Sequence, residues 1–367
     1  MATVFRGEQY ELSYGKEATF GVDPGTSALT RVLGVFERGQ LGDPDIEFTP
    51  YYGSGGALQR SYFRAYRGKW TMEANISDIL LLDASALMLP LGAVATTGPV
   101  SSMYTHTITE TAQLPSFTMH TSFWRADDAV GTPGIMRRYH GCKASRATIS
   151  AEEGDRLKLS LDSIPVKDLT HNVVGETFRY AALTKPTLDY PELEPYFFSG
   201  GYLEIEGTQF ARVRSFRLDI NNNCEPKYYI AGHDVSIPIP FSILEGRREY
   251  TLALSIDVDD TSLYKEILTQ GLDNCQPIGI SVKFKIERRS CTLDTGEGEV
   301  DIDEARGDYV LIELPSGTAS FPSNQGCFIK KGKLDIDSGS SAVTQELDML
   351  VRSCKITAKD TDPWTGL

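Results

Sequence analysis

Five histidines, six cysteines and several short acidic runs are the groups in this sequence whose types could do chemistry. A catalytic or metal site needs such groups at close and regular spacing. The histidines are His106, His120, His140, His171 and His233, and no H-E-x-x-H pair is among them. His106 and His120 fall on strands read as neighbours, yet surface or interface histidines are the simpler account. Cys142, Cys224, Cys275, Cys291, Cys327 and Cys354 are scattered, with no C-x-x-C pair. They read as buried small hydrophobes, not as zinc ligands or a redox couple. Asp335-Ile336-Asp337-Ser338-Gly339 with Glu346 has acids at the first, third and twelfth positions of a calcium loop. Its sixth position is Ser340, where that loop needs glycine, and Ile336 suits a strand. Asp257, Asp259 and Asp260 read as the wet face of a strand running into a helix cap, and Asp301, Asp303 and Glu304 as a solvated loop. No G-x-S-x-G elbow or G-x-x-x-x-G-K-[ST] loop occurs. Carboxylate pairs for glycoside hydrolysis are defined by distance in space, and none is marked above the rest. No catalytic residue, cofactor or metal is expected.

The elements that would hold any site are strands. Phe216, Leu218 and Ile220 alternate with Arg217, Asp219 and Asn221, the period of a half-buried strand. Leu252, Leu254, Ile256 and Val258 alternate with Ala253, Ser255, Asp257 and Asp259 in the same way. Between these runs lie Asn221-Asn222-Asn223, Tyr228, Tyr229 and the stretch Ile237-Pro238-Ile239-Pro240. Proline cannot donate to a ladder, so this excursion belongs at an edge or an interface. It is expected to be an arm that pairs outside its own domain.

The chain is long enough for roughly two domains. No apolar run reaches the ~18–20 residues of a membrane span, and no secretory signal opens the sequence, so synthesis in a cytoplasm is expected. A net charge of -14 argues against binding nucleic acid by neutralising phosphates. It is compatible with a wall along which nucleic acid slides without sticking.

Residues 1 to about 65 are rich in glycine and proline and read as an arm or elaborate loop with one short strand at Tyr10–Tyr14. Further strands are predicted near 70–76, 104–111, 116–124, 144–150, 157–161, 203–205, 282–286, 308–314, 328–336 and 347–358, with Glu153-Gly154-Asp155 as a hairpin turn. Short helices are predicted at 83–89, capped by Asp83, and at 260–268. The tail from Asp360 is polar and reads as frayed. The two halves share an order. Trp70-Thr71-Met72 matches Tyr250-Thr251-Leu252, a short helix follows each strand, and Gly141-Cys142 matches Gly326-Cys327, each ahead of a strand. Two tandem β-domains are expected, residues 1–190 and 191–367, each a β-sandwich or small barrel with one flanking helix.

Three segments carry a family resemblance: Tyr14-Gly15-Lys16-Glu17-Ala18-Thr19-Phe20-Gly21; Gly141-Cys142-Lys143 leading into Ala151-Glu152-Glu153-Gly154-Asp155; and Phe216 to Asn223, the arm, then Gly246-Arg247-Arg248 before Tyr250-Thr251-Leu252. Over about residues 10–310 the pattern resembles the tail tube, or major tail, proteins of tailed bacteriophages and their archaeal relatives. The resemblance implies a structural virion protein without catalysis, mainly β, with a long hairpin arm in each domain. It implies rings of six such domains, here three chains, stacked into a hollow tube for viral DNA. The implied partners are further copies, other tail proteins (tape measure, terminator, baseplate or tip) and double-stranded DNA passing without specific binding, with no membrane. The implied location is the virion tail, assembled in the host cytoplasm. Asn222, Asn223, Tyr228, Tyr229, Ile237, Pro238, Ile239 and Pro240 are then candidate inter-subunit arm residues. Glu73, Asp257 and Asp259 are candidate acids of the lumen or an interface, on strands Tyr62–Ile76 and Glu249–Val258, with Tyr228–Phe241 beside the latter.

The competing expectations are a non-catalytic β-sandwich binding module, such as a tail tip or carbohydrate-recognising adhesin, and a β-sandwich carbohydrate enzyme. Stoichiometry separates them. A tube subunit associates through both its ends without limit, whereas an adhesin forms a closed small oligomer.

Overall fold

A computed structural model describes residues 5–36, 38–51, 64–125, 128, 132–177, 179–189, 195–198, 201–205, 207–210, 213–229, 239–257, 279–288, 307–315, 326–335 and 343–367. The first half of the chain contributes β1 (Phe5–Lys16), β2 (Arg31–Val32), β3 (Arg38–Leu41), β4 (Asp45–Tyr51), β5 (Arg64–Thr71), β6 (Glu73–Leu80) and α1 (Met88–Leu91). It continues with β7 (Gly92–Val100), β8 (Met103–Glu110), β9 (Phe117–Arg125), β10 (Ile135–Cys142), β11 (Arg146–Glu152), β12 (Lys158–Pro165) and β13 (Asp168–His171). The second half gives β14 (Tyr202–Ile205), β15 (Thr208–Phe210), β16 (Val213–Asn221), β17 (Glu225–Lys227), β18 (Ser242–Leu244) and β19 (Glu249–Asp257). Last come β20 (Val282–Glu287), β21 (Tyr309–Leu314), β22 (Phe328–Asp335), β23 (Thr344–Val351) and β24 (Lys355–Asp360).

The fold is mainly β, in antiparallel sheets. The largest has eight strands in the order β22-β23-β19-β16-β11-β12-β6-β3. Period-two alternation builds it: Ala74, Ile76, Ile149, Leu159, Leu161, Leu218, Leu252 and Leu254 point into the core, and polar neighbours point out. The buried face packs on two further sheets. One has five strands, β13-β10-β9-β1-β2, and the other seven, β15-β14-β20-β21-β24-β8-β7. Phe216 of the eight-stranded sheet stacks on Phe284 of the seven-stranded sheet at 4.4 Å between ring centres. Strands from both sides of residue 190 share the two larger sheets, through the β11–β16 and β8–β24 pairings.

Two ribbons form separate two-stranded sheets, β4–β5 and β17–β18. Each links two neighbouring strands of the large sheet: the edge strand β3 through β4–β5 to β6, and the interior strand β16 through β17–β18 to β19.

Several expectations need correction. Residues 5–51 are not a loop with one short strand, because β1 runs twelve residues and is a central strand of its sheet. Its Gly15 is there because a Cβ would meet the Ala28 carbonyl oxygen at 2.3 Å. The helix predicted at 83–89 is a 3-10 turn, Ser85–Leu87, leading into α1, and both are buried. Asp83 does not cap a helix; it accepts from the Ser85 backbone N–H at 2.8 Å and from the Ser85 hydroxyl. The strand predicted at 347–358 is two strands, broken at Arg352–Cys354. The tail is anchored: Trp364 is buried, stacks on His106 at 3.7 Å and donates to the buried Asp360 at 3.0 Å. The helix predicted at 260–268 and most of the calcium-like loop lie outside the described residues.

Candidate functional site

Among the described residues, the outward face of the eight-stranded sheet is a broad surface with a chemical character of its own. Across β11 and β16 the paired outward residues are Arg146 with Asn221, Thr148 with Asp219, Ser150 with Arg217 and Glu152 with Ser215. On β19 they are Glu249, Thr251, Ala253, Ser255 and Asp257. Small hydroxyls alternate with charges of both signs, and the outward positions of β6, β12, β11, β16 and β19 carry no aromatic ring. Thr148 donates to Asp219 at 2.7 Å with Asp162 at 3.0 Å, and Arg217 holds Asp219 at 3.0 Å. The charges around Asp219 are therefore satisfied by their neighbours, on a surface that stays wet.

Glu73 and Asp257 both lie on this face, at opposite ends. Glu73 opens β6 and is exposed. Asp257 closes β19, where Arg214 contacts it at 2.6 Å. Asp259 lies outside the described residues. Glu73 and Asn223 line one open groove of about 560 Å³ with Arg146, Asp162, Asn221 and Glu225. The strand at Glu249–Asp257 is part of the face, but Tyr228 and Tyr229 are not: they follow β17 in the ribbon.

The arm residues divide by environment. Asn222 is buried in its own chain, where its amide donates to the Pro90 carbonyl at 3.0 Å and the Ala144 carbonyl at 2.9 Å. Its oxygen accepts from Arg248 Nε at 2.6 Å. It fixes the root of the ribbon. Asn223 is exposed, with φ +49°, and donates to the Arg247 carbonyl at 2.7 Å. That left-handed turn is one asparagine tolerates. The Tyr228 hydroxyl donates to the Trp70 carbonyl at 2.5 Å, tying the β17–β18 ribbon to the end of β5. Tyr229 is exposed and meets the exposed Phe241 edge-on at 5.9 Å. Pro240 is buried and Ile239 half-buried, while Ile237 and Pro238 lie outside the described residues.

The described histidines belong to the scaffold, and His233 lies outside the described residues. His106 is on β8 of the seven-stranded sheet and His120 on β9 of the five-stranded sheet, so they are not on neighbouring strands. Among the described residues no three His, Cys, Asp or Glu side chains converge as a metal site. Burial, reinforced by the Arg138 guanidinium, holds His120 down at about 4, and burial lowers His140.

A sheet whose five strands β6, β12, β11, β16 and β19 turn a wet, ring-free face outward, with two separate ribbons, is the setting for the sequence comparison. The sequence model of the phage tail tube protein family matches residues 7–347. The chain belongs to that family. It is a structural protein of a phage tail, and the resemblance carried by the Tyr14–Gly21, Gly141–Asp155 and Phe216–Leu252 segments falls within the matched span. No curated protein matches the chain. For a tail tube protein the relevant sites are extended surfaces. The sequence exposed these through alternation, while the bonds that neutralise Asp219 and bury Asn222 depend on pairing partners distant in the chain.

Proposed function

We propose that three copies of this tail tube protein close into a ring and that the rings stack into the hollow tube through which viral double-stranded DNA passes. The observation that carries this is the order of the eight-stranded sheet. Its strands from before residue 190, β3-β6-β12-β11, are followed by β16-β19-β23-β22 from after it. In each set an edge strand is linked through a ribbon to the second strand, and the last two form a hairpin. This order supports two tandem units, residues 1–190 and 191–367, joined side by side at β11–β16. Among the described residues β3 and β22 have no outer neighbour. The β22 edge of one copy pairs with the β3 edge of the next, as β11 pairs with β16 within one chain.

Size favours three copies. Three times the eight observed strands is 24. At about 4.8 Å per strand such a ring is about 37 Å across at the backbone, and inward side chains of about 5 Å leave about 27 Å. Two copies would leave about 14 Å, too narrow for a duplex. The wet face then lines the lumen, with Glu73 near one mouth and Asp257 near the other. The ribbons, with Tyr229 and Phe241 exposed, reach other copies. Head-to-tail stacking leaves two open ends, where other tail proteins attach.

Electron microscopy of the purified chain with mass photometry tests this. Hollow tubes, or rings of about 120 kDa (three times 40.5 kDa), are expected. A closed oligomer of another size that never stacks on concentration would overturn it.

A further inference from the structure

We propose that the aromatic pair Tyr229 and Phe241, on the β17–β18 ribbon of one copy, seats in an apolar cleft at the opposite end of the copy stacked on it, and that this contact joins ring to ring. This rests on the stacked-ring reading above and names the surface that receives the ribbon.

One strand bounds both features. β16 ends at Asn221, across from Glu249, where the chain leaves into the ribbon. It starts at Val213, across from Ile256, at the other end of the sheet. There a cleft of about 260 Å³ opens between the eight-stranded and seven-stranded sheets. Among the described residues Phe198, Leu203, Val213, Phe216 and Phe284 line it, with the exposed Glu153 of the β11–β12 turn at its rim. Phe216 stacks on Phe284 at 4.4 Å and on Phe198 at 6.4 Å, so the cleft has an aromatic floor.

The ribbon carries the matching shape. Tyr229 and Phe241 are 55% and 53% exposed and meet edge-on at 5.9 Å. A cavity of about 150 Å³ with apolar walls takes up a benzene ring. The cleft therefore holds the whole Phe241 ring and the edge of a second. Phe241 has no polar atom and suits the floor, while the Tyr229 hydroxyl keeps to the wet rim. The rims carry opposite charges. Lys69 is exposed beside the ribbon, its ammonium 5.9 Å from the Tyr228 ring centre, and has no acid within ion-pair reach among the described residues. Glu153 has no cation within reach there either. Such rim charges orient a contact more than they strengthen it.

A knob at one end that fits a socket at the other is a heterologous contact, and repeated along the strands it continues without closing. Two ribbon-bearing ends set together would leave both clefts empty. The pair thus selects head-to-tail stacking.

The test uses the full chain with Phe241→Cys and Val213→Cys together, and each change alone as a control, assembled and then treated with a mild oxidant. On a non-reducing denaturing gel the double variant is expected to give a ladder that passes three chains, since each link crosses from one ring to the next. A ladder that stops at three would place the contact inside a ring. No ladder above the single-change controls would remove the contact. Either result overturns the proposal and leaves the ring assignment standing. Should the double variant not fold by circular dichroism, Phe241→Ala decides. It is expected to keep three-copy rings in mass photometry and to raise severalfold the concentration at which tubes appear; tubes at the parent's concentration would overturn the proposal. A parent chain that forms no ring would instead strike the ring assignment.

Discussion

Thr148 on β11 and Asp219 on β16 meet across the seam between the two halves of the chain, hydroxyl to carboxylate at 2.7 Å. Thr148 is nearly buried, and Asp162 stands 3.0 Å away on its other side. One hydroxyl proton thus sits between two carboxylates. Thr148→Val keeps the shape and removes the proton. A loss of about 1.5–3 kcal/mol is expected in urea unfolding, the range for bonds to charged groups. A change within a few tenths would show that solvent satisfies Asp219.

Adjacent asparagines should behave differently. Asn222→Ala strands two buried carbonyls and Arg248, and a cost of about 2–4 kcal/mol is expected. Asn223→Ala removes one exposed bond and strains a positive φ, for about 1 kcal/mol. Denaturation midpoints of the two variants decide the order.

Acid should destabilise the fold through His120. Its folded value of about 4 lies below the ordinary value of 6.5, so between them the unfolded chain binds more protons. Stability is therefore complete above about pH 6.5 and falls toward pH 4, by on the order of 3 kcal/mol. His140, also lowered by burial, adds in the same direction. Asp83, raised by burial, has the opposite sign: its contribution grows as pH falls. Melting curves across pH 4–8 should show the net fall, and His120→Gln should flatten it.

The C-terminal tail is a structural strap. Trp364→Ala should cost about 3–5 kcal/mol, the range for truncating a buried aromatic. A melting temperature within a degree of the parent would contradict the packing of Trp364 on His106.

Much of this architecture was legible in the sequence. Alternation at Phe216–Asn221 and Leu252–Ile256 located β16 and β19, and Glu153-Gly154-Asp155 marked the β11–β12 turn. The elements that escaped did so for physical reasons. The strand β7, Gly-Ala-Val-Ala-Thr-Thr-Gly-Pro-Val, lies at a sheet edge and is largely exposed, so it needs no buried face and shows no period. In β1, Leu12 and Tyr14 are apolar and buried, too short an alternation to announce a twelve-residue strand, and Gly21 and Gly25 interrupt the stretch after it. Asp360 and Asp362 made the tail look solvated. Their partners, His106, Trp364 and Arg31, come mostly from far along the chain. On the candidate face, the residue types showed which positions are polar, but not that Asn222 turns inward while Asn223 turns out.

The seam at β11–β16 also bears on assembly kinetics. Were the segment carrying β16 a separate molecule, its encounter with β11 would slow with every dilution. Held in one polypeptide, the two strands see each other at an effective concentration on the order of millimolar or above, whatever the bulk value. That joint forms as part of folding, in first-order time, and only contacts between chains remain to be sought by diffusion.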